Sequence, residues 1–274
     1  MPSILLYATA SLLYAALAVY FWRTRWHENS GATRIALRER AAILLPLALH
    51  TALIYDMTFG QPAPHFGFGQ ALSVMLWLSV VIYFVESLFF ELVGMQAPIL
   101  ALAAVCAPLP AVFPGLASPS YTHSTEFRMH LLLAMLAYSL FTIAALHAML
   151  MTLMERRLHE GSMSGPFAAL PPLLTMERLL FRVILAGFIL LTLTLATGVV
   201  FSETLFGQSM KFTHKTLFAV VSWLIFAALL SGRYFYGWRG KTALRWTLAG
   251  FATLLLAYIG SSFVLEVILR RSLA

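Results

Sequence analysis

Eight stretches of the chain are apolar almost without interruption: residues 2–22, 41–59, 69–90, 97–114, 130–154, 181–202, 216–235 and 247–269. Each is close to the roughly 20 residues that an α-helix needs to cross a bilayer. The pattern predicts an all-α polytopic membrane protein with about eight transmembrane helices. The fourth stretch is the weakest, because it holds Pro98, Pro108, Pro110 and Pro114. It is expected to be kinked or only partly inserted, with neighbouring helices satisfying the carbonyls that proline leaves free. No basic segment precedes the first stretch, which reads as a retained helix rather than a cleaved signal peptide.

The polar intervals carry the orientation. Segment 23–40 holds Arg23, Arg25, Arg34, Arg38 and Arg40; segment 155–180 holds Arg156, Arg157 and Arg178; segment 233–246 holds Arg233, Arg239, Lys241 and Arg245. The alternate intervals 60–68, 115–129 and 203–215 hold only Arg128, Lys211 and Lys215. The excess of basic residues marks the first set as cytoplasmic. Eight crossings then place both termini on the periplasmic side, with Arg270 and Arg271 as a minor counterweight. The interval 155–180 contains a Gly-Ser-Pro cluster. It reads as a boundary between two helical halves. The whole, 1–274, is taken as a single membrane domain, with N-terminal helices in 1–128 and a second set in 129–274.

Composition supports this reading. The chain is 61% hydrophobic and 11% charged, against about 25% charged in a soluble domain. Its partner is first of all the lipid bilayer. The net charge of +7 gathers in loops and shows no basic stretch interleaved with aromatics, which excludes nucleic acid as a partner. A single cysteine, Cys106, excludes an internal disulfide, a CxxC redox pair and thiol attachment of haem.

The histidines are the candidate chemistry. His27 and His159 fall in basic loops, His65 and His123 in the others. His50 lies mid-span, where an ionisable group is either functional or hydrogen-bonded between helices. His130 and His147 share one helix but stand 17 residues apart, about 25 Å, too far for one metal. His130 and His214 open separate spans on the same side. They can meet on haem iron as a bis-histidine pair, or cap a helix and reach for the headgroups. Lys215 beside His214 is either a ligand for an anion or a surface anchor. Glu86 and Glu91 sit near a cytoplasmic helix end, where they are expected to meet water. No HExxH, GxSxG or P-loop is present, so no catalytic residue is assigned.

The stretch 198–240 carries a set of weak strings that is specific as a whole. Gly198, Gly207 and Lys215 are followed by Trp223-Leu224 and by the turn Gly237-Trp238-Arg239-Gly240. Upstream, His130 opens a helix that continues through Tyr138 to Met154-Glu155-Arg156-Arg157-Leu158. This set resembles the cytochrome c assembly membrane proteins (CcsA/CcmC/HemX-like), and within them most of all the YpjD branch. The resemblance implies a bacterial inner-membrane protein that handles haem near its periplasmic face. His130 matches the family's first periplasmic histidine and would ligate the iron; His214, inside the motif, would stand in as the second ligand, a substitution that the family pattern itself does not supply. Phe201, Phe206 and Phe212 would face the porphyrin, and Lys215 a haem propionate or a lipid headgroup.

Two departures from the family pattern stand out. Phenylalanines occupy positions where the family has tryptophans, with Met210, Thr213 and His214 replacing further motif residues. The region of the family's second histidine falls in Tyr258-Ile259-Gly260-Ser261-Ser262-Phe263, which has none. The alternative implied by the YpjD branch is a haem-free accessory to another membrane protein, an ion transporter with CBS domains. A small-solute transporter would instead need paired broken helices in two repeats.

Overall fold

The computed structural model describes residues 2–27, 36–60, 67–90, 92–115, 124–159, 172–206 and 213–268. Among these, all regular structure is helical. The elements are α1 (Pro2–Phe21, running on into a π-helical turn Trp22–His27), α2 (Leu37–Phe59), α3 (Phe68–Phe89), α4 (Gln96–Cys106), α5 (Leu109–Val112), α6 (Thr125–His159), α7 (Leu173–Phe206), α8 (His214–Tyr236) and α9 (Lys241–Leu255). Beyond α9 the same rod continues through Leu256–Gly260 in π-helical geometry, α10 (Ser261–Phe263) and a further π-helical stretch, Val264–Ile268. Seven of these helices are long and apolar enough to cross a bilayer; the fourth apolar stretch is shorter.

Proline explains the short one. Pro108 has no N–H to offer the carbonyl of Ala104, and the helix breaks between α4 and α5. The hydroxyl of Ser11 on α1 takes that carbonyl instead, at 2.6 Å. The break does not stop the crossing. Pro114, just past α5, accepts a 2.6 Å hydrogen bond from the Gln70 side chain in the first turn of α3. Gly69 beside it has no Cβ because one would meet the Leu109 and Phe113 carbonyls at 2.8 Å. The segment 92–115 therefore returns to the side from which α3 set out. Beside the seven long spans it is the shorter apolar segment of the described residues.

The two ends of the bundle differ in chemistry. At the basic end, Arg25 holds both oxygens of Glu39 at 2.7 and 2.8 Å, with both side chains buried. Glu39 also accepts from the Ala36 amide at 2.8 Å, tying α1 to the start of α2. Glu177 at the start of α7 accepts from Arg233 at 2.6 Å and from the Gly240 amide at 3.2 Å. This fixes the turn between α8 and α9, where Gly237 adopts φ +65°. The Trp238 ring folds back onto Gly232 so closely that any Cβ there would collide. The sequence reading identified the basic residues but not these acidic partners. It also ended the fifth span near 154, whereas α6 runs to His159. Arg156 and Arg157 do not stop a helix; in its last turn they complement its dipole.

Small and aromatic residues join the helices. The Ser139 hydroxyl on α6 reaches the Met75 carbonyl of α3 at 3.0 Å, and Ser79 reaches back to the Ser139 carbonyl at 3.4 Å. Such small polar residues allow close helix contact in lipid. Phe141 on α6 stacks on Phe226 of α8, with centroids 3.9 Å apart. Gly187 on α7 makes room for the Phe141 ring.

Arg25→Ala strands a buried carboxylate and is expected to cost about 3–5 kcal/mol. Lys241, whose 3.9 Å contact with Glu155 is largely exposed, should be worth less than ~1 kcal/mol. Unfolding of the two alanine variants in detergent, followed by circular dichroism, checks the contrast.

Candidate functional site

Ser124 caps α6, its hydroxyl accepting from the Phe127 amide at 3.2 Å. The helix thus begins one turn before His130 and turns that side chain onto α7. There His130 Nδ1 lies 2.9 Å from the Thr197 hydroxyl. Its ring meets Phe201 edge-on with centroids 6.4 Å apart, and Cε1 lies over Gly198. Thr197, Gly198 and Phe201 occupy one face of α7, as the i, i+1, i+4 spacing requires. His130 is half-buried at the charge-poor end of the bundle.

The Phe141–Phe226 stack relates α6 to α8. Both helices start at the charge-poor end, so they run parallel. His130 precedes Phe141 by eleven residues, and Lys215 precedes Phe226 by the same interval. Eleven residues make about three turns, returning to the same face. Lys215 therefore lies on the same stripe of α8 as Phe226, about three turns toward the charge-poor end. His214 is rotated by about 100° from that stripe; its side chain is exposed and has no hydrogen bond or ring contact among the described residues. Lys215 Nζ stands over the Tyr258 ring, 5.4 Å from its centroid, a cation–π contact.

Tyr258 in turn is placed by Tyr138. The Tyr138 hydroxyl donates to the Leu254 carbonyl at 2.9 Å and meets the Tyr258 backbone. Leu254 and Tyr258 are separated by the four residues that an α-helical hydrogen bond spans. A hydroxyl inserted there accounts for the π-helical widening at Leu256–Gly260. Four elements thus contribute to this end: His130 from α6, Phe201 from α7, Lys215 from α8 and Tyr258 from the final rod.

The remaining predicted residues divide. Phe206 closes α7, but its side chain, like all of Phe212, lies outside the described residues, as do His65 and His123. His159 is exposed and bonds to the Glu155 carbonyl at 2.8 Å. Glu86 departs from expectation: its Oε2 is buried with no partner among the described residues rather than meeting water. His50 is fully buried. Its Nε2 is 2.9 Å from the Ser73 hydroxyl and its ring lies 5.8 Å from that of Tyr14. His50 Nδ1, the Tyr14 hydroxyl and both ring nitrogens of the buried His147 have no partner among the described residues. Sequence reasoning missed Thr197; its only signal is position, one residue before Gly198 and one turn before Phe201. Among the described residues no group of three or more His, Cys, Asp or Glu could hold a metal ion. Haem iron needs no such cage, since the porphyrin supplies four ligands and the protein only axial ones.

Fold and site define a multi-pass helical membrane protein whose charge-poor end carries, among the described residues, an imidazole seated on α7 and a lysine over the Tyr258 ring. The chain belongs to the Cytochrome C assembly protein family, whose model matches residues 5–269. It is 28% identical over 243 residues to the inner membrane protein YpjD of Escherichia coli K12, covering 88% of this chain and 90% of that one. An uncharacterized 28.8 kDa protein of Azospirillum brasilense is 34% identical over 143 residues, 52% of each chain. The cytochrome c biogenesis protein CcsA of Prochlorococcus marinus MIT 9515 is 36% identical over 89 residues, 32% of this chain and 28% of its own. No solved structure matches. The apolar spans and these relatives make the chain a multi-pass inner-membrane protein.

Ser73→Ala removes the one hydrogen-bond partner of the His50 ring among the described residues and should destabilise the fold by about 1–3 kcal/mol. A thermal melt in detergent reads this directly.

Proposed function

We propose that this protein binds haem as a cargo at its charge-poor end, and that this end is periplasmic. The orientation follows from the arginines of the opposite end, which the positive-inside rule retains in the cytoplasm. The observation that carries the haem reading is the half-buried His130, seated on Thr197 and Phe201 at the end of the bundle where Lys215 stands over Tyr258. An imidazole there can ligate iron on one side. Phe201 offers a ring for the porphyrin; Phe206 and Phe212, whose side chains lie outside the described residues, are proposed for the same role on the sequence alone. Lys215 is the cation for a propionate, and its contact with Tyr258 directs the ammonium group. His214, at the same end and exposed, is the imidazole that would reach the second axial side. Phenylalanine can stack on a porphyrin but has no indole N–H for a propionate, which leaves Lys215 as the polar contact. Transfer of the cargo to an apocytochrome is the step the family name suggests.

A haem-free reading, an accessory beside an ion-transport protein in the same membrane, draws on a different observation. The match to YpjD spans 88% of the chain, while the match to CcsA spans 32%. The outer loop also lacks tryptophan.

Titration of the detergent-solubilised protein with hemin separates the two. Haem binding predicts a Soret band that His130→Ala removes. His214→Ala should keep the band but change the six-coordinate spectrum to a five-coordinate one. Lys215→Ala should weaken binding by roughly three- to tenfold, the loss of about one charge-assisted contact. A protein that takes up no hemin, and copurifies with a membrane partner regardless of His130, would establish the accessory role instead.

A further inference from the structure

Beyond the choice of ligand, the geometry around His130 specifies which of its nitrogens faces outward. The Thr197 hydroxyl has one proton. Its oxygen lies 2.8 Å from the Leu193 carbonyl one turn back and 3.1 Å from that of Thr194. Threonine within a helix habitually gives its proton to such a carbonyl. With that proton committed, Oγ1 can only accept from His130, at 2.9 Å. A neutral imidazole carries one N–H, so it must sit on Nδ1. Nε2 then bears the lone pair, and among the described residues no hydrogen bond reaches it.

We infer that Thr197 is a positioning residue: it holds His130 in the Nδ1–H tautomer and so presents Nε2 as the ligand atom. The assignment deepens the haem reading and rests on it for its purpose, while the tautomer itself stands on the hydrogen bonds alone. The bond has two consequences. It fixes the plane of the ring against α7, and it gives the imidazole extra basicity through Nδ1–H···O, as outer-sphere acceptors do for ligating histidines generally. A histidine free in water favours the other tautomer, with the proton on Nε2, which blocks the atom that iron needs. The arrangement also orders events: the ring is set before any cargo arrives, so binding does not spend free energy on turning it.

The tautomer can be read without haem. Protein labelled with ¹⁵N-histidine, in detergent at mildly alkaline pH, gives ¹⁵N–¹H spectra in which His130 is assigned by its loss in His130→Gln. The expected result is an N–H on Nδ1 in the wild type and in Thr197→Ser, and a shift of the proton to Nε2 in Thr197→Val. With hemin added, Thr197→Val should bind roughly 10–100-fold more weakly and show a higher iron midpoint potential; Thr197→Ser should restore both. A wild-type spectrum with the proton on Nε2, or a valine variant indistinguishable from wild type, overturns the inference. Failure of the wild type to take up hemin overturns the haem reading, while the apoprotein spectra decide the role of Thr197 independently.

Discussion

Inside a bilayer a backbone carbonyl without a partner has no water to turn to. That constraint governs the fourth crossing, and the site's location follows from it. Pro108 leaves the Ala104 carbonyl free, and Ser11 from the first helix closes on it. With that carbonyl satisfied, the broken segment can lie in hydrocarbon and climb back until Pro114 meets Gln70. Were this segment to turn back halfway, every helix after it would be inverted. His130 and Lys215 would then share an end with the arginines. One serine hydroxyl and one glutamine amide thus support the arrangement that separates the lysine and imidazole from the ion-paired end.

The two ends serve different physical purposes. At the basic end the carboxylates of Glu39 and Glu177 neutralise arginines and also hold the backbone amides of Ala36 and Gly240. Such networks fix the loops in which they lie. At the other end the described polar side chains engage rings and carbonyls: Lys215 over Tyr258, His130 on Thr197, Tyr138 in the last rod. Chemistry directed at an external molecule is better placed there.

Tyr138 links the core to that end. Its hydroxyl reaches Leu254, a helical turn below the Tyr258 ring on which Lys215 rests. The π-helical widening beside it alters the azimuth of every later residue in the rod. This is also where the family's second histidine would fall, and the chain there reads Tyr258 to Phe263 with no histidine. What the final rod contributes at this level is the Tyr258 ring, packed under Lys215 and held through Tyr138.

The apolar pattern alone determined an all-helical membrane protein, the approximate ends of its seven long spans and the segregation of charge, because hydrocarbon thickness and the absence of water act on local sequence. Proline at 108 announced a break without naming the serine that repairs it. Tertiary structure alone decided which faces meet. Whether His130 points at Thr197, or Lys215 rather than His214 meets the Tyr258 ring, depends on helix azimuths that accumulate at about 100° per residue and on packing through Phe141, Phe226 and Gly187. Glu39 and Glu177 read as ordinary polar residues in sequence, since an acid fourteen or fifty-six positions from its arginine acquires meaning only when the helices are brought together.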